Sequence, residues 1–332
     1  MMDTPWARIK RCILLTPALV LCLASWSSTA AGYPDRPVRL IVPFPPSGGT
    51  DIVARLVSRS LTEKFRQQFV IDNRPGAAST IGAAIAARAN PDGYTLLFVT
   101  ASFAIAAVYY KHLPYDTRSD FAPVSLLASG PLLLVVHPSV QANSVRELIA
   151  LAKRTPNTLN YASGGAGGIN HLAGELFNSL AGTRLVHVAY KGAGPALTAL
   201  IAGEVQVMFA TLASALPQVR SGKLKALASC GERRAIVSPD FPTLSEAGVP
   251  GYAADNWYGL LAPRGTDVRI TNALNAEISS AFADQETREQ LLKLGFEAAT
   301  SMPTGFREYL SREISKWAHV IDSAGLKLES TP

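Results

Sequence analysis

The chain is poor in cysteine, in charge and in long apolar runs. Its three cysteines stand at positions 12, 22 and 230, too few and too unevenly placed for a disulfide scaffold. Charged residues make up 17% of the sequence and the formal net charge is +6. The densest basic features, the pair Arg233-Arg234 and the nearby Lys223 and Lys225, lack aromatic interleaving and form no extended stripe, so they read as a solvated surface and nucleic-acid binding is excluded. Beyond the first 32 residues no apolar run approaches the roughly 20 residues needed to span a bilayer. Metal signatures are missing too: there is no His-Glu-x-x-His, no cysteine pair and no Asp-rich calcium loop, and His112, His137, His171, His187 and His319 are scattered.

At the N-terminus, Arg8, Lys10 and Arg11 precede an apolar run over residues 12–24 and then the small, polar stretch 25–32. This is the layout of a secretory signal peptide. Cleavage is expected after Ala30 or Ala31, each with a small residue three positions earlier, giving a periplasmic protein. Leu21 before Cys22 speaks against a lipid anchor there. Loss of residues 1–32 leaves 28 Lys and Arg against 24 Asp and Glu, a net charge of +4. Cys230 is then the sole cysteine, no intrachain disulfide is possible, and its place at the end of the apolar stretch 225–230 reads as a buried structural thiol.

The rest of the chain alternates strand-like and helix-like segments. A strand over 38–44, a helix over 51–65, a strand over 69–72, an alanine-rich helix near 80–89 and a strand over 95–100 read as β-α-β-α-β, a pattern of parallel sheet flanked by helices. The alternation resumes after the apolar stretch 132–136, with helices over 144–154, 169–181 and 193–202 and strands over 159–162, 185–188, 205–209 and 224–228. Two α/β units therefore share one chain. A strand over 257–261 and helices over 267–294 and 304–324 close it, and this tail, having no sheet of its own, is placed on the first unit.

In open α/β sheets ligands bind beyond the carboxyl ends of the strands, which is where the glycine-rich turns fall. Pro43-Phe44-Pro45-Pro46-Ser47-Gly48-Gly49-Thr50-Asp51 runs from a strand into a helix. Its glycines admit a ligand to the backbone, and the free N–H groups of the helix start suit an anion. Thr50 or Ser47 either caps the helix or meets the ligand; Asp51 reads as a first-turn acid that favours the helix dipole rather than as a catalytic acid. A second loop, Ser163-Gly164-Gly165-Ala166-Gly167-Gly168-Ile169-Asn170-His171, leaves backbone donors open. It lacks the Gly-Lys-Ser/Thr of a phosphate loop and the dinucleotide glycine spacing, so no nucleotide cofactor is expected. His171, in the first turn of the next helix, reads as a packed or hinge-facing side chain rather than a ligand group. Ala78 and Ser79, Thr100 and Ser102, Tyr190 and Lys191, Thr211, and Asp255 and Asn256 stand at equivalent strand ends and complete the candidate pocket. Lys191 is the one basic candidate, although a lysine in a turn is ordinarily solvated. No nucleophile with an assignable base, and no Gly-x-Ser-x-Gly elbow, accompanies them, so no catalytic residue is assigned.

The runs Tyr33-Pro34-Asp35-Arg36-Pro37-Val38, residues 43–51, Asp72-Asn73-Arg74-Pro75-Gly76-Ala77, Pro91-Asp92-Gly93-Tyr94-Thr95, His187-Val188-Ala189-Tyr190-Lys191-Gly192 and Glu246-Ala247-Gly248 together resemble, in order and over the whole mature chain, the Bug or TctC family. These are the substrate-binding proteins of tripartite tricarboxylate transporters. The resemblance implies a two-lobed α/β periplasmic-binding-protein fold of type II, a Venus flytrap, with each lobe a mostly parallel sheet flanked by helices. On it, residues 33–130 and 256–332 form lobe 1 and 131–255 lobe 2, with crossovers near 126–136 and 252–262. It further implies a small carboxylate held largely by backbone amides and bridging waters and delivery to a two-protein membrane permease. No cofactor is expected from the motifs, and with no sequence signal for oligomerisation a monomer is expected. Ser47 stands where the family often has glycine or alanine, and Ala189 where it often has proline. An enzyme acting on an organic acid on the same scaffold, or a sensor subunit signalling to a receptor kinase, are the alternative functions. The first requires a positioned acid, base or nucleophile in the cleft; the second differs only in its partner.

Overall fold

The computed structural model describes residues 32–46 and 49–332. The signal-peptide segment therefore lies outside the described residues except for Gly32, as do Ser47 and Gly48. Residues Pro34–Pro332 group into a single contact unit.

The first sheet starts with β1 (Val38–Val42), β2 (Phe69–Asn73) and β3 (Thr95–Thr100). They run parallel in the order β2-β1-β3. Leu40, Ile41, Leu96, Leu97 and Phe98 are fully buried, because helices cover both faces of such a sheet. The helices are α1 (Gly49–Phe65), α2 (Thr80–Ala87) and α3 (Ala101–Tyr109). The second sheet has β5 (Asn160–Ser163), β6 (Val186–Ala189) and β7 (Val207–Thr211), parallel in the order β7-β5-β6. Between them lie α4 (Val145–Arg154), α5 (Ile169–Ala181) and α6 (Ala193–Ile201), followed by α7 (Leu212–Arg220) and β8 (Lys225–Ser229). Ser144 opens α4 by accepting from Glu147 N at 3.2 Å, while Glu147 Oε2 accepts from Asn143 N at 2.8 Å, a reciprocal cap that fixes the helix start.

Two strands join the sheets. β4 (Phe121–Val136) pairs antiparallel with β9 (Asp255–Pro263) over Phe121 to Pro131, then with β7 and β8 over Leu132 to Val136. β9 closes the first sheet by pairing antiparallel with β3. Each sheet is thus mixed: three parallel strands with an antiparallel crossing strand. β4 extends well before the apolar stretch 132–136, across Pro123 and Pro131, and β-bulges between Pro123 and Ser125 and between Leu126 and Ala128 absorb the irregularity. Gly130 marks the change of sheet, and a side chain there would lie 2.4 Å from the Gly295 carbonyl. The tail comprises α8 (Val268–Ala283), α9 (Gln285–Lys293), β10 (Glu297–Ala298) and α10 (Pro303–Ser323). It packs on the first sheet's side, with α8 against α1 and β4, and α10 against α3 and β4. No helix among the described residues is long and apolar enough to cross a membrane.

Two helices absent from the sequence reading, α3 and α7, start directly at the strand ends Thr100 and Thr211. Apolar residues crowd all sides of α3, where Ala101, Ser102, Phe103, Ala104, Ile105 and Ala106 are buried, so no amphipathic period reveals it.

Candidate ligand cleft

The strand ends of the two sheets meet, and their loops touch. Gly49, first residue of α1, lies so close to the end of β7 that a Cβ on it would sit 2.7 Å from Thr211 Oγ1. Gly192 packs against Pro45 in the same way, at 2.9 Å from its Cγ. Ser102 Oγ, in the first turn of α3, accepts from Ile169 N at 3.1 Å. Tyr110 donates its hydroxyl to Ala166 O at 3.1 Å. These contacts join the loops of the first sheet to those of the second, so the structure is the closed form.

On the first side, Asp51 is buried, holds Arg55 Nε at 2.8 Å and accepts from Asn73 Nδ2 at 2.9 Å. Asn73 also donates to Phe44 O at 3.0 Å. Asp51 and Asn73 therefore anchor the two ends of the 43–51 loop, and Asn73 stands in the run 72–77 of the sequence but not among its candidate site residues. Thr50 stands beside the buried hydroxyl of Tyr258. Ala77, Ala78 and Ser79 have φ of 46°, 50° and 88°, three consecutive left-handed non-glycine residues, a costly backbone that persists where function demands its shape. The Ser79 hydroxyl is buried without a partner. Thr100 caps α3 by accepting from Ser102 N at 3.2 Å.

On the second side, the glycine loop offers fewer donors than its composition promised. Gly165 N goes to Ser163 Oγ at 3.1 Å, Gly167 N to His171 Nδ1 at 3.1 Å, Gly168 N to Gly165 O at 3.3 Å, and Ile169 N to Ser102. Gly164 N and Ala166 N have no hydrogen-bond partner among the described residues. The reason is the hydrogen-bonding network behind the loop. Ser163 Oγ also meets His187 Nε2 at 2.6 Å, the His187 and His171 rings stack with centroids 4.0 Å apart, and Tyr161 donates to Glu175 Oε1 at 2.5 Å. His171 thus braces the loop through its Nδ1. Burial and the neighbouring His187 bring its pKa down to about 3, and burial brings His187 to about 4, so both rings are neutral near pH 7.

Both histidines ionise more readily in the unfolded chain, where the ordinary pKa is 6.5. Stability is therefore full above pH 6.5 and falls as the pH drops through 6.5 toward 4. Between pH 7.5 and pH 5 the expected loss is up to about 2 kcal/mol for His171, with a smaller share from the less buried His187. Urea midpoints across that range check it, and a flat profile refutes it.

The expectations for Asp255 and Tyr190 are corrected. Asp255 turns away from the cleft. Its carboxylate lies against Gly231 and near Lys316, Glu232 and Glu313, and burial raises its pKa; the residue at the start of β9 alternates to the opposite face from Asn256. The Tyr190 ring packs on the apolar cluster around α6, and Lys191 is exposed at the rim. Asn256 does stay with the site: it is 2% exposed and its Oδ1 has no partner. Tyr258, two residues on and on the same face, joins it; the period of two along β9 was the available signal. The other residues missed by the sequence reading are Ser163, His187, Tyr109 and Tyr110. Among the described residues no group of three or more His, Cys, Asp and Glu is placed to hold a metal ion.

The arrangement suits binding. A helix start and two free loop amides converge on a closed interface lined by small and hydroxyl side chains, with no buried Lys or Arg among its described residues. Together with the two linked sheets, it defines a two-lobed periplasmic binding protein. Residues 53–326 match the family model for the tripartite tricarboxylate transporter family receptor, TctC, and the chain belongs to that family. It is 36% identical to protein BugT of Bordetella pertussis over 303 residues, 91% of this chain and 93% of the relative. Among solved structures it is similar to a Rhodopseudomonas palustris protein with adipate (TM-score 0.86, 35% identity, covering 88% of this chain and 98% of that one). It is also similar to MatC from the same organism with bound malate (TM-score 0.82, 34% identity, 87% and 100%).

Proposed function

We propose that the protein is the periplasmic solute receptor of a tripartite tricarboxylate transporter, which captures a small carboxylate by lobe closure and delivers it to a two-protein membrane permease without transforming it. The observation that carries this reading is the pair of amides, Gly164 N and Ala166 N, that have no partner among the described residues, in the loop that closes toward the start of α1. Backbone N–H groups and a helix N-terminus bind a carboxylate without any cationic side chain. The adipate and malate complexes of the related structures support the ligand class. Residues 33–130 and 256–332 are assigned to lobe 1 and 131–255 to lobe 2; the change of sheet along β4 between Pro131 and Leu132 and the start of β9 at Asp255 support bounds within a residue of these. The protein acts as a monomer in the periplasm after loss of residues 1–32.

A thermal-shift screen of mono- and dicarboxylates, adipate and malate among them, tests this. A ligand at a hundred times its Kd adds about 2.7 kcal/mol, which for a chain of about 300 residues raises Tm by roughly 4 °C. The hit is expected to be recovered unchanged after prolonged incubation. Turnover of the hit contradicts the receptor reading, and a panel of acids without any shift contradicts the ligand class.

A further inference from the structure

We infer that Tyr110, pinned by the C-terminal strap 326–332, is a positioning residue that completes the ligand loop from across the cleft only when the lobes close. The inference rests on the receptor reading above, and it concerns residues outside the strand-end loops.

The hydroxyl of Tyr110 donates to Ala166 O at 3.1 Å. That carbonyl belongs to the same peptide unit as Gly167 N, which donates to His171 Nδ1 at 3.1 Å. One peptide plane is therefore clamped at both ends, its oxygen by one lobe and its N–H by the other. The plane before it carries Ala166 N, one of the two loop amides left for a ligand, so fixing the first plane aims that donor. With the lobes apart, Tyr110 cannot reach, and the loop keeps only its internal bonds.

The fit around this clamp is close. Gly167 has φ +74°, and a Cβ on it would lie 2.8 Å from Tyr109 Cδ1 and 3.1 Å from Tyr110 Oη. Tyr109 packs edge-on against His171 with centroids 5.7 Å apart. Both tyrosines are at least nine-tenths buried. At the other end of α3, Ser102 accepts from Ile169 N, so both ends of one helix grip the start of α5.

The chain terminus holds this grip in place. Glu329 N donates to Tyr109 O at 3.1 Å, Lys111 N to Glu329 O at 2.9 Å, and His112 N to Ser330 O at 3.1 Å. These bonds form a short parallel bridge between Tyr110 and Glu329, fastening the backbone on either side of the tyrosine. Contacts made only after closure slow dissociation more than they speed association.

Tyr110→Phe removes only the hydroxyl; a chain ending at Leu328 removes the strap's bonds. With adipate and malate as probes, each variant is expected to raise koff about tenfold, the effect of one hydrogen bond, with kon within twofold of the wild type. The ligand-free Tm of Tyr110→Phe is expected within about 2 °C of the wild type, which a merely structural role would not leave in place. An unchanged koff in Tyr110→Phe overturns the inference. If neither acid binds the wild type, the carboxylate reading fails instead. Amide exchange over residues 164–168 in a ligand-free chain locked shut by a Gly49→Cys/Thr211→Cys disulfide, whose Cβ atoms would stand 3.6 Å apart, then decides the clamp: several-fold faster exchange when Tyr110→Phe is added supports it and equal rates overturn it.

Discussion

Replacing Gly49 by valine is expected to weaken ligand binding by about a hundredfold while leaving the ligand-free protein folded. Gly49 is the first residue of α1 and carries no left-handed φ, so a side chain costs the helix little by itself. The obstacle lies across the cleft. A Cβ would stand 2.7 Å from Thr211 Oγ1, closer than real contacts allow, and valine adds two further methyls at that point. Thr211 is itself held, its Oγ1 2.9 Å from Ser214 Oγ at the start of α7. The overlap exists only in the closed form, so the substitution lowers the closed fraction, and apparent affinity falls by the same factor. A hundredfold change corresponds to about 2.7 kcal/mol. Calorimetric titration of wild type and Gly49→Val checks it, with Tm of the ligand-free forms expected within about 2 °C. Equal affinities would show that Gly49 and Thr211 do not meet when ligand binds.

The largest expected loss of stability is at Glu313. This carboxylate, 8% exposed on α10, accepts from Trp257 Nε1 at 2.9 Å and from Trp317 Nε1 at 3.3 Å, and lies 3.5 Å from Lys316 Nζ. Trp257 and Trp317 are both fully buried. Glu313 thereby ties the last long helix to β9, the strand that carries Asn256 and Tyr258. Glu313→Leu leaves two buried indole N–H groups without an acceptor, at about 1–3 kcal/mol each. The expected cost is about 3 kcal/mol, a fall in Tm of roughly 5 °C. Glu313→Gln keeps an acceptor oxygen and should recover much of the loss. A fall in the leucine variant below about 1 °C would mean that the indoles find other partners.

Much of the architecture was legible because its signals are local. Leu40 and Ile41, or Leu132 and Leu133, are apolar runs of strand length between turn residues, and the glycine loops follow them directly. The tail's position followed from its having no sheet to belong to. What was hidden depends on partners distant in sequence. The glycine loop's composition promised many donors, yet Ser163, His171 and Ser102 consume several of its amides; nothing near the loop in sequence announces Ser102. Asp255 and Asn256 are adjacent in sequence but opposite in direction, and only the pairing of β9 with β3 and β4 sets which of them faces the cleft. The buried α3 has apolar residues on every face, so its role in carrying Thr100, Ser102 and Tyr110 together becomes visible only once α10 is packed against it.

The central claim is that a carboxylate is held by backbone amides between the start of α1 and the glycine loop. A crystal structure of the protein with the tightest acid from the screen tests this most directly. The account predicts carboxylate oxygens within hydrogen-bond distance of Ala166 N or Gly164 N and of the first N–H groups of α1, with Tyr110 bonded to Ala166 O. An acid bound elsewhere, such as in the apolar groove lined by Ile81, Ile85, Arg88 and Pro332, or a loop whose amides make no ligand contact, would contradict it.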